Sequence, residues 1–274
     1  LIARSKGYDI DTYFTDILEN MPHTDIYRAI KPYKKVLHLA SIKQTSIERF
    51  LGIKREDEYS GKELIDHYIN YINGINADKA HLDFILLHNR DDIVCAARII
   101  PILSYMHIFV SPVTLTNVEC KDYTDLYGNS SREFYISFKT KYSVPKNHVF
   151  GSHPYFVSLN GNTGKIRVPL FEGELKLFFE DYKNYYYLPE EDTAVHKSIA
   201  AFSDKENRVK AKPETAYVKA RGEFLPQADK LFTPVLKEEF KSKDLYFELK
   251  KGFTDDTEKM QTYLNHILSH LKYR

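Results

Sequence analysis

Two cysteines, Cys95 and Cys120, are all the thiol chemistry in 274 residues. One falls in an expected helix and the other in an expected loop, so the chain offers neither a disulfide framework nor zinc-ligand spacing, and a reducing compartment, the cytoplasm, is the simpler expectation. Excess charge is equally scarce. Lys and Arg number 39 against 38 Asp and Glu, a formal net charge of +1, which excludes generic attraction to nucleic acid and leaves any such binding to a local patch. No apolar run approaches a membrane span, so no membrane partner is expected, and the opening Leu1 onward lacks the charged-then-apolar layout of a signal sequence. Internal repeats and low-complexity tracts are absent. What is present is 43% hydrophobic residues, enough for a sizeable core, in a chain longer than a usual single domain. Two units are therefore expected.

The character of the sequence changes near Ser104 to Pro112, which sets the expected units at 1–107 and 108–274. Before the change the pattern is helical. Thr45-Ser46-Ile47-Glu48 has the capping-box arrangement, followed by a helix that should end at Gly52. A second helix is expected from Lys62 to Asn73, with Leu64, Ile65, Tyr68, Ile69 and Ile72 on one face and Gly74 beyond its end. A third should begin near Asn89 and break at Pro101, and Ile108-Phe109-Val110 reads as a short strand or extended linker. After residue 110 the period becomes two. Strands are expected at Phe134–Phe138, Lys165–Leu170, Glu174–Phe179 and Tyr185–Leu188, with a turn at Glu172-Gly173 making 165–188 a three-stranded meander and Pro169 at an edge. A helix opened by Pro189 and three acids, a strand at Leu245–Leu249 and a closing helix from Asp256 to Leu271 complete the second unit.

The segment His88-Asn89-Arg90-Asp91-Asp92 carries the most chemistry. A histidine four positions before a carboxylate puts a proton acceptor and a metal ligand on one helical face. The structural alternative is that Asn89 caps a helix, Asp91 and Asp92 favour its dipole in the first turn, and His88 merely flanks it.

Read with its upstream context, this segment has company. His23-Thr24-Asp25-Ile26-Tyr27, then Thr45-Ser46-Ile47-Glu48 through Leu51-Gly52-Ile53-Lys54-Arg55, then Tyr59-Ser60-Gly61-Lys62-Glu63-Leu64, and last Leu87 to Asp92 follow one another in an order that resembles the later part of the YprB-like ribonuclease H-like domains, relatives of the DEDD 3′-5′ exonucleases. The resemblance covers roughly the first hundred residues. With the antiparallel-sheet α+β domain expected from the strand pattern after residue 110, the fold class is α+β; for its own part the resemblance implies the mostly helical remainder of a ribonuclease H-like α/β domain. It also implies a phosphodiester hydrolase using two Mg²⁺ or Mn²⁺ ions, with Asp92 as metal ligand and His88 as the base. That chemistry uses four carboxylates from three motifs. Only the last motif is found here, and Leu1-Ile2-Ala3-Arg4 looks like the continuation just past the second. The intact protein is thus expected to be a divalent-metal-dependent 3′-5′ exonuclease on DNA or RNA, and residues 1–274 alone to be inactive. The alternative is a noncatalytic nucleic-acid-binding or interaction protein on the same scaffold.

Two clusters stand out in the second unit. Asp192, His196 and Lys197 would share a helix, where a phosphate-handling role competes with ordinary capping. Arg208, Lys210, Lys212, Tyr217, Lys219 and Arg221 form a basic, aromatic region that could follow a phosphate backbone and stack on unpaired bases, or be a solvated flank. The partner expected is nucleic acid. Oligomeric state is left open.

Overall fold

The computed structural model describes residues 24–57, 59, 61–74, 79–124, 126–128, 130–200 and 205–272. Leu1–Arg4 and His23 of the expected motifs lie outside these. Helices come first: α1 (Ile26–Ile30), α2 (Gln44–Leu51), α3 (Gly61–Ile72), α4 (Lys79–Arg98) and α5 (Leu103–Val110). Asp25 accepts from the Arg28 N–H, satisfying one donor that a helix start leaves orphaned. α2 ends as expected at Gly52, whose φ of 76° is the left-handed conformation that glycine adopts without penalty. Its start differs. Lys43 is the N-cap with no side-chain hydrogen bond, which puts Thr45 inside the helix, and Glu48 is drawn to Arg55. The expected capping box is therefore not formed.

α3 lies where the pattern placed it, but of its apolar row only Leu64 is buried. Ile65, Tyr68, Ile69 and Ile72 are exposed among the described residues, since α3 rests on α4 with the rest of its apolar side facing solvent. α4 begins at Lys79 rather than near Asn89, because Phe84–Leu87 belongs to the helix instead of preceding it. Pro101 breaks the chain into a 3-10 turn, Ile100–Ile102, as a residue without an N–H donor should. Ile108-Phe109-Val110 is neither strand nor linker but the end of α5. Ile99, Ile102, Tyr105 and Ile108 recur three apart and are all buried, which fixes this stretch as helical. Among the described residues, Ala80–Val110 is long and apolar enough by length and composition to cross a membrane, correcting the expectation that no run approaches that length.

The sheet follows, with β1 (Thr114–Thr124), β2 (Ser130–Lys139), β3 (His148–Ser152), β4 (Tyr155–Asn160) and β5 (Thr163–Phe178) in the order β1-β2-β5-β4-β3 and antiparallel throughout. Alternation decides its faces: Phe134, Ile136 and Phe138 on β2 and Ile166, Val168 and Leu170 on β5 are buried. The expected turn at Glu172-Gly173 does not occur. β5 runs straight through it, changing partner from β2 and β4 to β9 (Tyr217–Gln227), with Gly173 opposite Gly222. Pro169 consequently sits inside a strand, beyond the last β4 partner at Arg167, where β2 borders it. Residues 165–188 are thus no meander: β6 (Tyr185–Leu188) joins a separate sheet, β7-β6-β8, with β7 (Thr193–His196) and β8 (Val209–Lys210). The helix expected after Pro189 is a turn into β7, followed by the short α6 (Lys197–Ala200). β10 (Leu245–Glu248) pairs with β9.

α7 (Thr257–Leu271) matches its periodicity: Met260, Tyr263, Leu264, Ile267 and Leu271 are buried and Asp256 caps it. The architecture is α+β. Ile30, Leu37, Ile102 and Ile108 share one buried cluster with Phe134, Ile166 and Leu264, so the core is continuous across 107/108, a boundary that falls within α5.

Candidate active site

α4 carries His88 and Asp92 in its interior, so the capped-helix alternative for this segment is not realised: Asn89 is a mid-helix residue. Facing them are α2 and the segment that leaves it. Together Gln44, Glu48, Arg55, Asp57, His88 and Asp92 line a cleft of about 750 Å³.

The arrangement is built around two anchors. Asp91 is buried and points away from the cleft, accepting the backbone N–H groups of Glu56 at 2.7 Å and Asp57 at 2.9 Å. This ties segment 55–57 to α4. The two N–H donors, that of Asp57 foremost, hold the Asp91 carboxyl below its ordinary range against the opposing effect of burial. Arg55 is the second anchor. Its Nε donates to Glu48 Oε2 at 2.6 Å and its Nη2 to Glu48 Oε1 at 2.9 Å, the bidentate geometry of a strong ion pair. The same Nη2 donates to Asp92 Oδ1 at 2.8 Å. These bonds, the Glu48 one first, keep the guanidinium charged by raising its already high pKa. Gln44 completes the link by donating to Glu48 Oε1 and to the Asp92 carbonyl.

Held this way, Asp57 meets His88. Its side chain is 1% exposed, its Oδ2 lies 2.5 Å from His88 Nδ1, and its Oδ1 accepts the Tyr59 N–H. A carboxylate can only accept, so the proton of this bond sits on Nδ1 and a neutral His88 keeps Nε2 as its lone-pair nitrogen. Nε2 lies 3.3 Å from Asp92 Oδ2, and the Asp92 side chain is 46% exposed. A proton arriving at Nε2 would be shared with a solvent-accessible carboxylate. The structure therefore brings His88 and Asp92 together and adds Asp57, Arg55, Glu48 and Asp91 to them. Glu48, Arg55 and Asp91 lie within the motifs that carry the resemblance, whereas Asp57 has no sequence signal beyond being an acid. Among the described residues no group of three or more His, Cys, Asp or Glu side chains could hold a metal ion, so these residues by themselves do not fit a two-ion site.

Asp91→Asn should lower stability by about 1–3 kcal/mol at pH 7, the scale of a charged hydrogen-bond acceptor lost from a buried site. Because the folded pKa is depressed, the contribution of Asp91 is complete above the unfolded carboxylate value of about 3.9 and fades as pH falls through the folded one. Urea denaturation from pH 7 down to pH 2 should show the gap between wild type and variant narrowing below pH ~4. A gap independent of pH would contradict the assignment.

The second-unit clusters fare differently. Asp192 is not on a helix with His196: it stands at φ 49° before β7, accepting from the Tyr187 and Tyr217 hydroxyls and from Lys219 Nζ at 2.6 Å. Lys219 above all, then the two hydroxyls, depresses its pKa. His196 turns instead to Ser198 and Tyr185, and Lys197 to Asn184. Of the basic and aromatic set, Tyr217 is buried with its hydroxyl committed, Lys219 is paired with Asp192 and Glu174, and Arg208 donates to the Ala200 carbonyl and lies over Tyr186. Lys210, Lys212 and Arg221 are exposed.

Comparison with known proteins agrees with the motif reading where it applies. Residues 3–104 match the family model of the RNase_H superfamily. The match contains α1 to α4 and the whole His88 cleft. No curated protein and no solved structure matches the chain.

Proposed function

We propose that the intact protein is a divalent-metal-dependent nuclease that removes nucleotides from the 3′ end of DNA or RNA, with His88 as the base and Asp92 as a metal ligand. The observation that carries this reading is the line Asp57–His88–Asp92, in which a buried carboxylate orients an imidazole whose other nitrogen faces an accessible carboxylate in a cleft. Nucleases of the superfamily matched by residues 3–104 generally use divalent ions, which supply charge neutralisation and an activated water when bound. Of the described residues Asp92 would contribute to such a site, and Mg²⁺ or Mn²⁺ suits its oxygen donors. The remaining ligands would have to come from residues outside those described. His88 takes the proton of the attacking water at Nε2. Asp57 keeps the ring in the tautomer that leaves this nitrogen free and stabilises the imidazolium that forms.

One observation favours a second reading, a noncatalytic nucleic-acid-binding or interaction protein on the same scaffold: Arg55 already neutralises Asp92. The two separate in one assay. The intact protein, given Mn²⁺ and a 5′-labelled single strand, should produce a ladder of progressively shortened labelled products. His88→Ala should slow the ladder by about a hundredfold or more. No Mn²⁺-dependent shortening, or an unchanged rate for His88→Ala, would leave the scaffold reading.

A further inference from the structure

A second cleft, sharing no residue with the first, opens beside the start of α7 and has a volume of about 370 Å³. Its wall is aromatic: Phe232, Phe247 and Phe253 contact one another, with ring centroids 4.7 to 5.3 Å apart. Phe247 is buried, while Phe232 and Phe253 are partly exposed where they line the cleft. Its rim is cationic, with Lys250, Lys251 and Lys259 lining it against a single carboxylate, Glu248. Lys259 is held by Asp256 at 2.7 Å and Lys250 stands 3.9 Å from Glu248. Gly252 follows the two adjacent lysines at φ 85°, a backbone conformation that turns the chain sharply at their position.

We infer that this cleft binds a nucleotide unit, a base stacked on the Phe232 and Phe253 rings with its phosphate at Lys250 and Lys251. Aromatic surface alone would suit any apolar guest and lysines alone any anion. Their combination in one concavity selects a ligand that carries a flat ring and a phosphate a few ångströms apart, the repeating unit of a single strand. The chain as a whole has a net charge of only +1, so attraction for a phosphate at this cleft rests on the exposed Lys250 and Lys251 at its rim. The inference deepens the nucleic-acid reading given above but does not depend on hydrolysis.

The test is fluorescence polarisation of a labelled oligothymidylate with the full chain in EDTA and low salt, where nothing is cleaved and a failed nuclease assay has no bearing. Lys250→Glu combined with Lys251→Glu should weaken binding by at least about tenfold, while a control reversal of the exposed Lys183 and Lys241 should leave it within twofold. A strand of the same length with abasic sites should bind about tenfold more weakly than the thymidylate, the scale of one stacked base. Competition identifies the source. Displacement by thymidine monophosphate at equal nucleotide concentration marks a site for free nucleotides, and displacement by the oligomer alone marks a strand. Absence of binding, equal loss in the control reversal, equal affinity for the abasic strand, or equal displacement by inorganic phosphate would each overturn the proposal.

Discussion

Arg55→Met should cost about 3–5 kcal/mol of stability, because it leaves Glu48, 2% exposed, as an uncompensated buried charge. Among the described residues no other cation bonds Glu48 to replace the two bonds that Arg55 makes to it. For a chain of this size such a loss corresponds to a fall of roughly 10 °C in Tm. The partner of the experiment is Glu48→Leu with Arg55→Met. Removing both charges abolishes the desolvation penalty along with the attraction, so the double variant should recover most of the loss. Of the remaining contacts of Arg55, its Nη1 lies 3.9 Å from the buried Asp57 Oδ2, and the one to Asp92 is solvent-accessible and adds little to stability, since exposed pairs contribute about 0–1 kcal/mol. Thermal denaturation of the wild type and the two variants checks the claim. A single variant within about 1 kcal/mol of wild type would mean that water already solvates Glu48 and that Arg55 does not anchor the cleft.

That ion pair also explains what could be read in advance. The spacing of Glu48 and Arg55 belonged to the motif that led to the superfamily, yet nothing in one sequence says that the two side chains meet each other and then Asp92. Strongly periodic elements were legible: α7 buries the residues its period names, and β2 alternates as its pattern requires. The failures share a cause, local signals overruled by distant partners. Glu172-Gly173 has the composition of a turn, but Gly222 lies opposite and β9 takes over the pairing, so β5 continues. The acids after Pro189 look like a helix start, but Asp192 is claimed by Tyr217 and Lys219, far along the chain. Asn89 resembles a cap only if the apolar run before it is not itself helical. Asp57 stayed hidden because its role depends on Asp91 pinning its backbone, 34 residues away in sequence.

The largest effect on activity is expected from the loss of Asp92. If it contributes to a divalent-ion site, its removal leaves nothing among the described residues to replace it, since no alternative cluster exists there, and hydrolysis should be lost rather than reduced. Stability should hardly change, because Asp92 is 46% exposed and its partner Arg55 keeps Glu48. This separates it from Arg55→Met, which acts through the fold. The decisive measurement is therefore the rate of Mn²⁺-dependent shortening of a 5′-labelled strand by the intact protein carrying Asp92→Ala, with Tm recorded on the same sample. The account predicts a Tm within a few degrees of wild type and no detectable shortening. Full activity in a folded Asp92→Ala protein would contradict it, and would reduce the His88–Asp92 pair to a salt link on a helix.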